Sequence, residues 1–238
     1  MLMPIGTNSG LWEARQELRR GGFRLPTRMT VVRLADGALL LHSPIAIDAA
    51  LAAELAALGP VRHLVAPNRF HHLFLAPAAA RYPEASVFLA PGLAARLPAL
   101  PGASELREKA AAAWSGELRL HVLAGAQRLG EAVFLHRPSA TLLCSDLLFN
   151  VRHWDGPLTG LALACFGTRG RLAASRVLHL VVRDRARFRA SIAAIAAWDF
   201  RRIVMGHGEV YESATARDDL LAALALRLGA GLGAKPGP

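Results

Sequence analysis

Lysine is almost missing from this chain. Of its 28 basic residues only Lys109 and Lys235 are lysines, and arginine carries the rest of a net charge of +10. Arginine excess together with abundant alanine and leucine reflects a GC-rich coding sequence better than a phosphate-binding groove. The densest cluster is Arg183, Arg185, Arg187 and Arg189, with Arg201 and Arg202 nearby. A spacing of two spreads around a helix instead of forming one stripe, so the charge is not read as a nucleic-acid footprint. Cysteine is equally scarce. Cys144 and Cys165 both lie in apolar stretches and form no metal-type pair, which excludes a disulfide framework and points to two buried thiols. Charged residues make up only 19% against 53% hydrophobic, which excludes disorder except at the ends. No apolar run approaches the ~18 residues of a membrane span, and Met1–Gly10 lacks the basic-then-apolar order of a secretory signal. A cytoplasmic protein with neither membrane nor nucleic acid as partner is the expectation.

What is present is an alternation of strands and helices with no internal repeat. The pattern predicts one domain over residues 1–228 and a flexible Gly/Pro-rich tail over 229–238. Met29–Ala35 and Ala38–His42 flank Asp36-Gly37, a hairpin signal. Ile47–Leu58 reads as a helix with Asp48 near its start. His63–Ala66 and Ser86–Ala90 read as strands, and His71–Arg81, Leu93–Leu97 and Glu105–Trp114 as helical. Strands are expected again at Leu118–Leu123, Ala132–His136, Thr141–Ser145 and Arg202–Met205. Further helices are expected at Arg171–Val182, Asp184–Trp198 and Asp218–Leu228. Interleaved elements imply a layered α/β architecture.

The histidines are informative by position. His42, His136 and His207 stand at or just past predicted strand ends, as does Asp146, while His71 and His72 follow a strand after a short loop. Strand ends are where α/β proteins collect functional groups, and imidazole and carboxylate suit zinc, iron or manganese. Glycines on both sides of His207 allow a close backbone approach. His63, His121, His153 and His179 read as ordinary hydrogen-bonded residues.

At this point the order of features resembles the metallo-β-lactamase fold over roughly residues 28–212. "MTVVRLADGALLLHSP" resembles its opening strands, "VRHLVAPNRFHHLFL" its His-x-His-x-Asp-His loop, "VFLHRPSATLLCSDLLFN" its later strand pair, and "RIVMGHGEVYE" its closing strand. The segments "LPTRMTVVRL", "LGPVRHLVAPN", "FHHLFL" and "HRPSATLL" are similar to a group of uncharacterised bacterial proteins of this fold. The resemblance implies a four-layer αββα sandwich. It places the two leading histidines at Pro67 and Arg69, which removes two of three ligands of the first metal site. The third-motif histidine falls at His136. The second site falls at His71, His72, Asp146 and His207, which remain competent ligands. The implied cofactor is one divalent transition metal, zinc first, with iron or manganese as alternatives.

The activity so implied is a metal-dependent hydrolase with a mononuclear site, acting on an ester, thioester, lactone or phosphoester. A non-catalytic binding protein of the same fold is the alternative. His42 falls where the family has an early aspartate. His42 or His136 would then serve as general base. Arg69 would hold a substrate anion or pair with Asp146, since guanidinium binds carboxylate or phosphate bidentately.

Overall fold

The computed structural model describes residues 1–20, 23–98, 100–107, 114 and 116–229. Residues 230–238 of the expected 229–238 tail, both lysines and most of the expected helix at Glu105–Trp114 lie outside the described residues. Two sheets form the centre. The first runs in order β1 (Met3–Pro4), β2 (Leu11–Arg20), β3 (Phe23–Arg33), β4 (Leu39–His42), β5 (Val61–Ala66), β6 (Ser86–Leu89) and β7 (Ser104–Glu105). Its first four strands are antiparallel, and β4 through β7 are parallel. The second sheet runs β12 (Tyr211–Glu212), β11 (Arg202–Val204), β10 (Thr141–Leu143), β9 (Ala132–His136) and β8 (Leu118–Val122).

The layering follows from period-two patterning in which both phases are apolar. Val31, Leu39, Leu41, Leu64 and Ala66 pack outward under α1 (Ala49–Leu58) and α2 (Leu75–Arg81). Their neighbours Val32, Leu40 and Val65 face the second sheet, where they meet Phe134, Leu143 and Val204. Val133, Leu135, Leu142 and Ile203 point to the far side, beneath α4 (Arg176–Val181), α5 (Arg185–Ala196) and α6 (Ala216–Leu228). A strand buried on both faces needs this continuous apolar run, and the result is the αββα sandwich. A further helix, α3 (Pro157–Phe166), packs against β3 and α4. Among the described residues no helix is long and apolar enough to cross a membrane.

Local chemistry fixes the joints. Gly37 takes φ +84° in the β3–β4 turn, and Ala38 N donates to Asp36 Oδ1 (2.9 Å). Asp48 caps α1 by accepting from Leu51 N (2.8 Å). Four sequence expectations are corrected. The expected hairpin forms as β3–β4, but β3 begins already at Phe23 and makes a second, unexpected hairpin with β2, paired from Leu11–Val32 to Arg20–Phe23. Ser104–Glu105 is a strand at the sheet edge and does not begin a helix. The helix expected from Arg171 starts only at Arg176, where the Ser175 hydroxyl caps it. Cys144 is buried, but Cys165 is exposed, on the outer face of α3.

Candidate metal centre

Four loops at one edge of the sandwich bring three side chains together. His71 lies in the turn that follows β5, Asp146 in the turn after β10, and His207 in the Gly-His-Gly turn after β11. The fourth loop, after β4, supplies Ser43. His71 Nε2 and His207 Nε2 are 3.2 Å apart. Asp146 Oδ1 lies 3.5 Å from the first and 3.3 Å from the second. Each imidazole is held from behind, His71 Nδ1 by Ser43 Oγ (2.6 Å) and His207 Nδ1 by the Pro26 carbonyl (2.7 Å). A carbonyl only accepts, so Nδ1 of His207 carries the proton and its Nε2 lone pair faces the cluster. Two imidazoles braced at the far nitrogen beside a carboxylate are the usual outer arrangement of a metal ligand set. Among the described residues these three form the one group of histidine, cysteine or acidic side chains able to share an ion.

The backbone is cut to fit. A Cβ on Gly206 would come within 2.5 Å of His71 Cε1, and one on Gly208 (φ +90°) within 2.2 Å of the Asn150 carbonyl. Glycine at both places lets the turn press against His71 on one side and the Asn150 backbone on the other. The turn is also clamped from β3. Arg28 is fully buried, pairs with Glu13, and donates through its guanidinium to the carbonyls of Met205 and Gly208. Its own N–H donates to Gly206 O (2.9 Å).

Beneath Asp146 lies a buried polar floor. Glu131, fully buried, accepts from the backbone N–H groups of Ser145 (2.8 Å), Asp146 (2.9 Å) and Leu147 (3.2 Å), and from Asn68 Nδ2 (3.2 Å). The same Asn68 nitrogen donates to Asp146 Oδ2 (2.7 Å), while Asn68 Oδ1 accepts from the N–H groups of Phe70 and His71 (both 2.8 Å). Burial, then the neighbouring Asp146 carboxylate, push the Glu131 carboxyl up to about 7, against the four donors that favour its charged form. Burial also acts to raise Asp146, but the adjacent His71 and His207 imidazoles, His71 first, outweigh it and hold the carboxyl well below the usual range.

The remaining expected site residues do not join. His72 lies beside His71 in the chain, but adjacent residues of a helical turn project in different directions, and it stays outside the cluster. His42 is buried, its ring edge-on to Phe134, and burial pushes its pKa down to about 3. A neutral, enclosed imidazole does not serve as a general base facing substrate. His136 is at the wrong end of its strand. Because β9 and β10 are antiparallel, His136 pairs with Thr141, at the start of β10, whereas Asp146 follows that strand's end. His136 instead hydrogen-bonds Ser139 Oγ (2.7 Å). Arg69 neither pairs with Asp146 nor turns into the cluster. Its Nη1 donates to the Gln127 carbonyl (3.0 Å) and its stem packs over Gly130, while Asn68 takes the Asp146 oxygen that Arg69 was expected to hold.

Arg28, Glu13, Asn68 and Glu131 all escaped the sequence reading. Only Glu131 left a signal: in a β9–β10 hairpin the residue beside Asp146 must come from the segment just before β9.

The class of fold is defined by comparison with solved structures. A metallo-β-lactamase from Pontibacter korlensis superposes with a TM-score of 0.61 at 12% identity, covering 97% of this chain and 100% of that one. FIM-1 from Pseudomonas aeruginosa, solved in a mono-zinc form, gives 0.62 at 14% identity and 97% of each chain. VMB-1 gives 0.65 at 10% identity, covering 95% of this chain and 97% of its own. The protein therefore has the metallo-β-lactamase fold. Residues 9–167 match the family described as Domain of unknown function (DUF4336), and the chain belongs to that family. No curated protein sequence matches it.

Proposed function

We propose that the protein is a hydrolase dependent on one divalent transition metal held by His71, Asp146 and His207. Its substrate would be a small molecule with an ester, thioester, lactone or phosphoester bond. The observation that carries this reading is the convergence of two braced imidazole nitrogens and a carboxylate oxygen at 3.2–3.5 Å. Two imidazoles and a carboxylate suit zinc first, with iron or manganese as alternatives, and three protein ligands leave a coordination position open. An ion there would supply the positive charge that polarises a scissile carbonyl or phosphoryl oxygen and acidifies water. The protein's share is positional. Pro26 and Ser43 fix the ring orientations, Asn68 holds the second oxygen of Asp146, and Phe149 stacks on His207 at 5.2 Å, shielding one face of that ring from water.

The test is metal analysis of protein purified without chelator or histidine tag from medium supplied with zinc, iron and manganese. One equivalent per chain is expected, falling to background in Asp146→Ala and His207→Ala while the fold is retained by circular dichroism. Two equivalents, or none, would overturn the assignment. A non-catalytic binding role is the second reading, favoured by the absence of donor side chains at Pro67 and by the outward course of Arg69. One bound ion without turnover of any ester, thioester, lactone or phosphoester would select it.

A further inference from the structure

The ligand cluster opens into a chamber of about 340 Å³, within the range of small-molecule sites. Its walls are apolar, with Leu25 from β3, Phe74 at the start of α2, Phe149 over His207, Leu163 and Phe166 from α3, and Leu178 from α4. The hydroxyls in the lining are mostly committed. Ser43 is bound to His71, Thr159 accepts from Arg24 N (3.1 Å), and Ser175 caps α4 by accepting from Val177 N (3.1 Å). Among the described residues Arg24 is the one lysine or arginine in the lining, and its guanidinium lies 3.9 Å from the Glu17 carboxylate. Beyond the ligand cluster, a phosphoryl dianion would meet hydrocarbon and, among the described residues, a single, already shared cation.

The chamber's mouth carries a second sign. Phe70, Leu73, Phe166 and Val177 line it and are all exposed to solvent. Large apolar side chains grouped in this way mark a ligand groove.

We infer that the chamber binds the uncharged hydrocarbon chain of a carboxylic ester or thioester, with the scissile carbonyl at His71, Asp146 and His207. This narrows the proposed function and rests on it for the reaction, but not for the binding. Hydrolysis would break the acyl C–O or C–S bond and form a new acyl C–O bond to water. The leaving oxygen or sulfur takes one proton of that water, and the acid product releases the other. The polar end of the substrate lies at the braced cluster, and the chain extends between α3 and α4, where the hydroxyls of Thr159, Thr168 and Ser175 are already engaged.

The inference is tested by equilibrium binding of N-methylalkanamides of increasing chain length, which resist hydrolysis, to the metal-loaded and the chelated protein. Affinity should rise about fourfold per added methylene until the chamber is full. Ala162→Phe, which fills the chamber from the half-buried face of α3, should weaken the longest amide about tenfold and leave the shortest unchanged. Should that variant fail to fold, Phe166→Asp, at an exposed position of the rim, should weaken the long amides in the same way. Affinity independent of chain length, or unchanged in both variants, would overturn the inference. The two readings fail separately. Length-dependent binding without hydrolysis of p-nitrophenyl alkanoates by the metal-loaded protein supports the chamber and overturns the hydrolase. Hydrolysis of p-nitrophenyl acetate and its longer homologues at one common kcat/KM, without length-dependent binding, does the reverse.

Discussion

The floor and the roof of the site are built on opposite principles. The floor, made of Glu131, Asn68, Asp146 and the 205–208 turn, is buried and polar, and its polar side chains are hydrogen-bonded on several sides. The roof, made of Phe70, Leu73 and the facing sides of α3 and α4, is apolar, and several of its large side chains face solvent. Hydrogen bonds have direction and fix a side chain to a fraction of an ångström, whereas apolar contact is non-directional and selects only by size and area. The contrast assigns geometry to the floor and selection to the roof.

The comparison would break most visibly at Glu131. Glu131→Ala leaves three backbone N–H groups and one N–H of the Asn68 amide without their acceptor in a buried space. At about 1–3 kcal/mol for each buried unsatisfied group, the domain should unfold outright or lose more than about 3 kcal/mol in urea titration. A loss under 1 kcal/mol would mean that water replaces the carboxylate and that the floor is not a fixed frame. Next in size is Arg28→Met. Removing one partner of a buried ion pair typically costs about 3–5 kcal/mol, and here the carbonyls of Met205 and Gly208 also lose their donor. Metal retention should fall with stability, because the same strand holds His207. If retention survives in the folded fraction, the clamp stabilises the sheet and not the site. The smallest effect belongs to the roof. Phe70→Ala, at a side chain 56% exposed, should change stability by no more than about 0.5 kcal/mol and leave the metal content untouched, while weakening the binding of long-chain amides. A large stability loss there would erase the distinction between the two surfaces.

What the sequence made legible divides along the same line. The apolar strands β4, β5, β6, β9, β10 and β11, the Asp36-Gly37 turn and Asp48 at the start of α1 are local signals, and they lie where the pattern put them. The resemblance to the metallo-β-lactamase fold supplied the layer order, and the superpositions agree with it. The long β2–β3 hairpin was missed because Glu13, Arg15, Glu17 and Arg28 make its segments look polar. Glu13 and Arg28 are buried as a pair, which a residue-by-residue hydrophobic pattern reads as two exposed charges. Helix α3 was missed for the converse reason: Leu158, Leu161 and Phe166 face outward, so its apolar residues mark no buried stripe. His136 was misplaced because a strand-end position was counted without regard to strand direction. Asn68 and Glu131 reach Asp146, each other and the 145–147 turn across separations of 78, 63 and 14–16 residues, which no short window contains; the local Asn68 bonds to Phe70 and His71 look like those of any turn.

Asn68 has a consequence that reaches beyond geometry. Its carboxamide has two ends of nearly the same size and opposite polarity, and each end meets partners of one kind only. Two N–H groups face the oxygen and two carboxylates face the nitrogen. The amide is thus a polarised plug that can be seated one way round. Loss of ammonia by deamidation would keep its shape and reverse the sign of one end, setting a third carboxylate against Glu131 and Asp146. The site therefore contains a part that chemical ageing can convert, without any change of volume, from a brace into a wedge.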